Sequence, residues 1–438
     1  MINEETLTRH IAVEIFSAVL RNAKGLEEEF AAKMAEQDKK HPLETRDRTF
    51  IRLLVTTTLR RLGQIDNILA RYLKKPLPER AAYVLDALRL STAQLVFLNT
   101  PPHAAVSTGV SLVKSWGIGG FAGLANAVLR RISTEGKEIA AAQNAPEMNI
   151  PSWLLRVWEK TFGKKTAYLI AEAGLQEAPL DFSVKQDPEK WAEKLEATVM
   201  PTGTLRRAKS ASVPSLPGFE DGEWWVQDLS AALPAKLLKD IEDKRVIDIC
   251  AAPGGKTAQL VMAGAEVTAL DISANRLKRL TDNMNRLKMS VEIITADARK
   301  WWAEEGGVSE RFDAVLLDAP CSATGTLRRH PDVVWHRTPE DILRLNKAQK
   351  ELLVTALDML DDGGELVYCV CSLLPSEGVR IIDAAVEKGL AERIPVTKDE
   401  VPDFMITPKG DLCVLPFFYK ESGGCDGFYA ARLRKKGA

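Results

Sequence analysis

The second half of the chain alternates short apolar segments with helical stretches, and this alternation constrains the fold more than any other feature. The apolar segments have polar or glycine-rich boundaries and lie at Val246–Cys250, Glu266–Asp271, Val291–Thr295, Phe312–Asp318 and Glu365–Val370. Strands that alternate with helices predict a doubly wound sheet with helices on both faces. Such sheets bind ligands at the carboxyl ends of their strands, so the residues that follow each segment are the candidate functional residues.

The first third of the chain has a different pattern. Apolar residues recur at three- and four-residue intervals in four stretches of residues 6–133, namely Ile11–Val19, Phe50–Leu62, Ala82–Leu98 and Val106–Val113. This spacing predicts an all-α bundle. A length of 438 residues also predicts two or three domains. We divide the chain into a helical domain at 1–133, a linker at 134–150, a small α+β segment at 151–234 and an α/β domain at 235–438.

The composition is that of a globular protein, with 45% hydrophobic and 27% charged residues. No apolar run has the length of a membrane span, so we expect a cytosolic protein that has no membrane partner. All six cysteines lie in the second half of the chain, and none has paired metal-ligand spacing. This distribution predicts reduced thiols and no metal site. No motif points to an obligate protein partner.

The net charge of −1 conceals an asymmetry. Residues 1–140 hold 20 Lys and Arg against 15 Asp and Glu, so the remainder is acidic. A basic surface can bind phosphates, and our candidates for such contacts are Arg60-Arg61 and Arg130-Arg131. Ordinary solvated helix faces explain the same charge. In the α+β segment, Trp153 and Trp158 can stack on bases, but packing in the core of one helix explains them more simply.

A glycine-rich turn follows the first apolar segment. Its candidate cofactor-binding residues are Cys250, Ala251, Ala252, Pro253, Gly254, Gly255 and Lys256. Glycines let the backbone approach a ligand, and the next helix presents free N–H groups. Asp271 ends the next segment, where a carboxylate can accept ribose hydroxyls, and Asp297 is placed for an adenine amino group. The pattern suits NAD and S-adenosylmethionine, but the departure from G-x-G-x-x-G disfavours NAD.

Two cysteines follow later strands of the predicted sheet. Cys321 lies in the sequence Asp318-Ala319-Pro320-Cys321-Ser322, and Cys371 follows Tyr368-Cys369-Val370. Carbon 5 of a pyrimidine is a poor nucleophile until a thiolate adds to carbon 6 and converts the ring into an enamine. One cysteine adds to the ring, and another group helps to release it. A cofactor turn with two such cysteines is therefore equipped for methyl transfer to a pyrimidine.

These motifs resemble the RNA cytosine-5 methyltransferases, which have a Rossmann-like domain. The matching residues are Cys250–Thr257, Asp318–Ser322 and Val370-Cys371-Ser372. The helical domain resembles NusB, in stretches such as Asp47–Phe50 and Asn126–Arg131. The combination is similar to the bacterial enzymes that methylate small-subunit (16S) rRNA. The resemblance implies S-adenosylmethionine as the cofactor, 16S rRNA as the partner and an RNA-binding role for the helical domain.

The resemblance also implies roles for individual residues. Cys371 would be the nucleophile that attacks carbon 6, and Cys321 would assist release of the methylated product. Asp318 would contact both the cofactor and the base near N3. Cys250 through Lys256, with Asp271 and Asp297, would line the cofactor site. The chain also ends like the family, since Leu415-Pro416 and Asp426–Tyr429 match its closing hairpin.

Three features depart from the family pattern. Val370 replaces the usual threonine before the nucleophile, Cys369 adds a third nearby thiol, and Ser183-Val184-Lys185 stands where Arg-Val-Asn is usual. We interpret Cys250 and Cys369 as small packing residues. Lys256 has two interpretations, a solvent-exposed charge at a helix start or a residue of the cofactor site.

Three other functions are compatible with parts of this pattern. One is an RNA-binding assembly factor whose methyltransferase domain is inactive, although both cysteines and all three carboxylates are intact. Another is a methyltransferase that acts on tRNA, against which the NusB-like domain argues. The third is a dinucleotide reductase. A measurement of which cofactor protects the protein against heat would distinguish it from a methyltransferase.

Overall fold

The computed structural model describes residues 4–117, 119–208, 211–306 and 311–436. Backbone contacts divide the chain into two units. The helical unit comprises residues 1–175 and 327–336, and the sheet unit comprises residues 176–326 and 337–438. The predicted domain boundaries at 133, 150 and 234 are not tested by this division and stay predictions.

The first ten helices belong to the helical unit. They are α1 (Glu4–Asn22), α2 (Leu26–Lys40), α3 (Thr45–Arg60), α4 (Leu62–Ala70), α5 (Ala82–Val96), α6 (Pro102–Ser115), α7 (Ala122–Ala141), α8 (Ala145–Asn149), α9 (Ser152–Phe162) and α10 (Lys164–Gly174). The apolar residues of α1 to α7, at three- and four-residue spacing, form one buried cluster, to which Phe16, Ile51, Ile65 and Leu129 contribute. The predicted helical bundle is confirmed.

Residues 134–150 are largely helical, because α7 continues to Ala141 and α8 follows it. The buried Asn149 amide donates to Gln64 Oε1 on α4 at 3.0 Å, which holds this stretch against the bundle. Trp158 on α9 is fully buried, as the core interpretation requires, and Trp153 is partly buried. Among the described helices, none has both the length and the apolar character of a membrane span.

The segment 327–336 packs with the helical unit although it lies far along the chain. Trp335 Nε1 donates to Leu59 O at 3.0 Å, and Leu26 N donates to Asp332 Oδ2 at 3.2 Å. The Arg60 guanidinium donates to Arg328 O at 3.0 Å. Because these bonds satisfy the ends and sides of the first helices, the segment is an integral part of this unit.

The sheet unit contains a small antiparallel sheet and a large mixed sheet. The small sheet has the order β2-β3-β1-β4, formed by β1 (Leu180–Val184), β2 (Thr198–Val199), β3 (Leu205–Arg207) and β4 (Trp224–Val226). The unusual Ser183 and Lys185 bond within the unit, since Ser183 donates to Gln227 Oε1 at 2.8 Å and Lys185 Nζ donates to Leu287 O at 2.5 Å.

The large sheet has the order β10-β12-β9-β8-β5-β6-β7, with β11 paired to β12. Its strands are β5 (Arg245–Ile249), β6 (Glu266–Asp271), β7 (Glu292–Thr295), β8 (Phe312–Asp318), β9 (Leu360–Val370), β10 (Ala391–Ile394), β11 (Leu412–Val414) and β12 (Phe428–Lys435). Strands β5 to β9 are parallel, and β12 runs antiparallel to its neighbours. The five predicted strands and the closing hairpin are confirmed.

The remaining helices lie in the sheet unit, apart from one short helix of the segment 327–336. They are α11 (Pro188–Lys194), α12 (Gly255–Met262), α13 (Ala274–Leu287), α14 (Ala298–Trp301), α15 (Val333–His336, in the helical unit), α16 (Pro339–Asp358) and α17 (Val379–Glu387). Short 3-10 or π turns lie at Glu79–Ala81, Gly119–Phe121, Val213–Ser215, Pro234–Leu237, Trp302–Gly306, Asp403–Met405 and Lys420–Ser422. Along β8, Val315 and Leu317 enter one buried cluster while Ala314 and Leu316 enter another. The strand is thus buried on both sides, as in a doubly wound sheet.

The order of the parallel strands creates a switch point. From β5 the chain adds β6 and β7 on one side, and then adds β8 and β9 on the other side. The loops after β5 and β8 therefore leave in opposite directions, and a crevice forms at the carboxyl ends of these strands. The residues that follow β5, β6, β8 and β9 are the ones predicted from the sequence.

Candidate active site

The turn after β5 has the strained backbone expected of a ligand loop. Cys250 has φ 63° and Gly254 has φ 99°, both in the left-handed region. A Cβ on Gly254 would lie 3.0 Å from Leu280 Cγ, so this position needs glycine for its conformation and for its space. Helix α12 starts at the next residue, and the turn therefore brings its N-terminus to the carboxyl edge of the sheet.

Asp271, at the end of β6, holds this turn in place. Its carboxylate accepts hydrogen bonds from Ala252 N at 3.3 Å and Ser273 N at 2.9 Å, and it pairs with Arg276 at 3.3 Å. The side chain is only 1% exposed, whereas the neighbouring Ile272 is 67% exposed. Asp271 therefore connects two strand-end loops beside a bare apolar side chain.

Asp297, after β7, has a different environment. Its side chain caps α14 by accepting from Arg299 N at 3.0 Å, and it binds the Arg299 guanidinium at 2.6 Å. These hydrogen bonds with Arg299 lower the pKa of Asp297. The contact with an adenine amino group stays a prediction, and Arg299 competes for the same carboxylate.

Lys256 links the cofactor turn to the end of β8. The buried ammonium donates to Asp318 Oδ2 at 2.8 Å and lies 4.9 Å from the centre of the Phe428 ring. Burial alone lowers the pKa of a lysine, but the charge of Asp318 outweighs it and raises the pKa of Lys256. Lys256 is thus a charged residue of the site, and the interpretation as a solvent-exposed charge is wrong.

Cys369 is more than a packing residue. Its thiol donates to Asp318 Oδ1 at 3.5 Å, and burial raises its pKa well above the ordinary value. Asp318 therefore accepts from Lys256 on one oxygen and from Cys369 on the other. Burial likewise raises the pKa of Cys250 to about 12. Both thiols stay protonated at neutral pH, so neither is a nucleophile.

Cys321 and Cys371 meet in space, although 50 residues separate them in the chain. Their sulfur atoms are 3.4 Å apart beyond the ends of β8 and β9. The pKa of Cys321 is raised well above the ordinary value by its hydrogen bond to Cys371, then by burial and by nearby charge. Val370, which replaces a threonine, is fully buried in the apolar cluster against which Cys321 also packs.

Hydrogen bonds hold the backbone around the two cysteines against Gly427, the residue directly before β12. Gly325 N donates to Cys371 O at 3.0 Å, and Gly427 N donates to Gly325 O at 2.8 Å. A Cβ on Gly325 would lie 2.1 Å from Gly427 O, so only glycine permits this approach. The Gly427 of the closing motif therefore fixes the loop that carries Cys321.

A buried glutamate that the sequence interpretation missed lies behind the cysteines. Glu377 accepts hydrogen bonds from Ser322, Ser372 and Gln349. Its position six residues after Cys371 carries no pattern by itself. The signal available in the sequence was the pair of serines that directly follow the two cysteines, since buried hydroxyls need partners.

The residues of the crevice fit a cofactor that carries ribose hydroxyls and an amino group. Asp271, Asp297 and Asp318 place three carboxylates at the carboxyl edge, and the exposed Ile272 offers an apolar surface for a flat ring. The carboxylate oxygens can accept hydrogen bonds from ribose hydroxyls and an amino group, and each carboxylate also pairs with a cation of the protein. Among the described residues, no cluster of His, Cys, Asp and Glu could hold a metal ion.

Solved structures with this fold include methyltransferases. The structure titled "Crystal Structure of PH0851" matches with a TM-score of 0.77 and 20% identity, and covers 99% of both chains. NSun6 from Pyrococcus horikoshii, solved with SFG, matches with a TM-score of 0.57 and 22% identity, and covers 66% of this chain and 99% of its own. The fold and the strand-end site define an S-adenosylmethionine-dependent methyltransferase.

The sequence comparisons give the family. A model of the 16S rRNA methyltransferase RsmB/F family matches residues 235–434, and a NusB family model matches residues 6–134. The ribosomal RNA small subunit methyltransferase B of Xylella fastidiosa (strain 9a5c) is 35% identical over 97% of this chain and 100% of its own. The protein of that name from Vibrio vulnificus (strain YJ016) is 33% identical over 89% of this chain and 92% of its own. The chain belongs to the RsmB/F family, and the resemblance seen in the sequence is confirmed.

Proposed function

We propose that the chain transfers a methyl group from S-adenosylmethionine to carbon 5 of a cytosine in 16S rRNA, through a covalent bond between Cys371 and carbon 6. The observation that carries this proposal is the 3.4 Å separation of the Cys321 and Cys371 sulfur atoms at the crevice. The names of the relatives supply the rRNA substrate, and such a substrate implies action in the cytosol.

The first half of the reaction belongs to Cys371. Its thiolate adds to carbon 6, and the ring electrons move to carbon 5, which becomes the nucleophile. The Asp318 carboxylate lies at the same carboxyl edge of the sheet. A proton shared between this carboxylate and ring N3 would stabilise the negative charge that develops on the base. The bound cofactor supplies the methyl group as an electrophile. Lys256 holds Asp318 in place throughout.

The second half of the reaction belongs to Cys321. Carbon 5 must lose a proton before Cys371 can leave, and a base is needed for that step. In the free protein the hydrogen bond to Cys371 and burial raise the pKa of Cys321, so Cys321 stays a thiol. Once Cys371 is bonded to carbon 6 it is no longer an anion, and the Cys321 thiol becomes more acidic. We infer that Cys321 then loses its own proton to water, that the resulting thiolate accepts the proton of carbon 5, and that elimination frees Cys371.

Two alanine variants test this division of roles. Cys371→Ala should transfer no methyl group and form no adduct, while retaining binding of RNA and S-adenosylmethionine. Cys321→Ala should still allow addition and methyl transfer but not release. It should therefore accumulate a covalent protein–RNA complex that survives denaturing gel electrophoresis when 16S rRNA and S-adenosylmethionine are present.

Cys413→Ala is the matched control, because Cys413 lies on β11 and outside the strand-end crevice. It should methylate at the rate of the unaltered protein. If Cys371→Ala traps RNA and Cys321→Ala does not, the two roles are reversed. If both variants methylate normally, the covalent mechanism is wrong. A comparison of 5-methylcytosine in 16S rRNA and tRNA, from cells with and without the gene, tests the substrate separately.

A further inference from the structure

Glu377 lies in the connection between β9 and α17, and its carboxylate is fully buried. Four hydrogen bonds converge on it. Oε1 accepts from Ser322 N at 2.9 Å and from Gln349 Nε2 at 3.0 Å. Oε2 accepts from Ser372 Oγ at 2.5 Å and from Ser322 Oγ. All four donors are neutral groups, so the negative charge of the carboxylate has no ammonium or guanidinium among these partners.

The donors come from both cysteine-bearing loops. Ser322 directly follows Cys321, and Ser372 directly follows Cys371. Further bonds hold the same loops, since Gln349 Nε2 also donates to Pro320 O at 2.8 Å and Tyr368 OH donates to Glu377 O at 2.6 Å. The buried carboxylate of Glu377 therefore links the two loops to each other, and the backbone carbonyl of the same residue links them to Tyr368 of the sheet.

We propose that Glu377 is a positioning residue for the two-cysteine reaction: it fixes the spacing of Cys321 and Cys371, and it places a negative charge close to Cys321. This inference rests on the proposed function. The geometry supports the first half, because a carboxylate with four fixed donors has little freedom to move.

The charge supports the second half. The groups that face Cys321 are Cys371, Glu377 and the Tyr368 hydroxyl, and the Arg337 guanidinium binds the adjacent Ser322 carbonyl. After the hydrogen bond to Cys371, burial and the charge of Cys371, the charge of Glu377 also raises the pKa of Cys321. A protonated Cys321 can donate to Cys371, which leaves Cys371 as the sulfur that attacks. Glu377 thus favours the protonated form of Cys321.

Glu377→Gln is the central test, because it removes the charge and keeps the shape. The serine hydroxyls can rotate to accept from the new amide, so the loops can stay bonded. We expect kcat to fall on the order of 10- to 100-fold, because the two serine hydroxyls must change from donors to acceptors, and a small shift of their loops misplaces the reacting sulfur atoms. KM for 16S rRNA and the affinity for S-adenosylmethionine should stay within about twofold. Alkylation of Cys321 by iodoacetamide, followed on its peptide by mass spectrometry, should become faster at neutral pH, because loss of the Glu377 charge lowers the pKa of Cys321.

Glu377→Asp separates the two halves of the proposal. It keeps the charge but shortens the side chain, so kcat should fall while the pH profile of Cys321 alkylation stays near that of the unaltered protein. Glu387→Gln is the matched control, because Glu387 is an exposed glutamate at the end of α17. It should change neither kcat nor alkylation. If Glu377→Gln does not fold, Ser372→Ala replaces it, with a smaller fall in kcat expected from the loss of one donor.

Two results would overturn the proposal. A folded Glu377→Gln protein with unchanged kcat and unchanged Cys321 alkylation removes Glu377 from any positioning role. An unchanged kcat in Ser372→Ala does the same if the glutamine variant is unfolded. The proposed function fails separately, because its failure requires an active Cys371→Ala protein. An inactive Cys371→Ala protein beside a fully active Glu377→Gln protein defeats only this inference.

Discussion

Two completely buried carboxylates, Asp86 in the helical unit and Glu377 in the sheet unit, have opposite surroundings. In the helical unit, Asp86 binds Arg21 at 2.5 Å and Arg89 at 3.1 Å, and it accepts from the Ser17 hydroxyl. In the sheet unit, Glu377 is surrounded by neutral donors next to two thiols. A carboxylate neutralised by arginines is a structural tie between helices, whereas an uncompensated carboxylate exerts its field on its neighbours.

The difference has an energetic side. Removal of one partner from a buried ion pair leaves the other charge stranded, so the effect falls on stability. Replacement of a carboxylate that has only neutral donors changes the local field while the donors find new partners, so the effect falls on reactivity. Loss of Asp86 should therefore appear in the free energy of unfolding, and loss of Glu377 in the reaction rate.

Asp86→Ala should give the largest effect on stability. We expect the helical unit to lose about 3 kcal/mol, the lower part of the range for breaking a buried pair, because Arg21 is partly exposed. Urea unfolding followed by limited proteolysis of the helical unit measures the loss. Binding of S-adenosylmethionine to the folded protein should not change.

Asp66→Ala is the control for that variant. Asp66 pairs with the same Arg89 at 2.7 Å, but its side chain is 41% exposed. An exposed pair contributes less than about 1 kcal/mol, so the two losses should differ clearly. Equal losses would mean that burial of Asp86 does not distinguish it, and the contrast between Asp86 and Glu377 would lose its basis.

Asp271→Ala tests an intermediate case, because the surroundings of Asp271 combine features of those of Asp86 and Glu377. Its carboxylate is buried, accepts from two backbone N–H groups and pairs with the mostly exposed Arg276. Loss of a charged acceptor removes about 1.5–3 kcal/mol, or about ten- to a hundredfold in affinity for S-adenosylmethionine. Calorimetry on the folded protein measures this. Asp282→Ala, at an exposed position of α13, should bind normally, and unchanged affinity in Asp271→Ala would remove Asp271 from the cofactor site.

The sequence was informative where topology dictates position. Strands β5, β6, β8 and β9 could be predicted from apolar segments, and the ends of parallel strands meet at one edge. Residues that follow those strands, such as Lys256, Asp318 and Cys371, were therefore correctly expected to gather there. Their roles toward cofactor and base stay predictions. The 3.4 Å sulfur separation itself depends on side-chain packing that no local pattern encodes.

The sequence was uninformative where function depends on tertiary partners. Glu377 has no local signal, because its donors come from two loops and from α16. The short segment 327–336 has too few residues to show that it packs with the first helices. The RNA-contact prediction for Arg60 is wrong, since its side chain is 8% exposed and donates to Arg328 O. Arg61 is likewise engaged by Gln64 and Leu175 O. Charge along a sequence does not tell which arginines reach solvent.

The prediction of RNA contacts therefore depends on Arg130 and Arg131. Arg130 and Arg131 are exposed on α7, where the Arg130 side chain donates to Asn126 Oδ1 and Arg131 lies 5.8 Å from the centre of the Tyr72 ring. Point variants are preferable to deletion of the helical unit, since segment 327–336 packs within that unit. Arg130→Glu combined with Arg131→Glu should weaken 16S rRNA binding several-fold and reduce the slope of affinity against salt by about two, one for each phosphate contact.

Lys39→Glu combined with Arg46→Glu is the control for this last and smallest effect. These residues are also exposed on the helical unit, and the change in total charge is the same. If the α7 arginines make specific phosphate contacts, only their replacement lowers the salt slope, while S-adenosylmethionine binding stays constant in both variants. Equal losses in the two variants would mean that the helical unit attracts RNA through its net charge. Unchanged affinity in both would mean that its surface arginines, like the buried Arg60, do not contact the substrate.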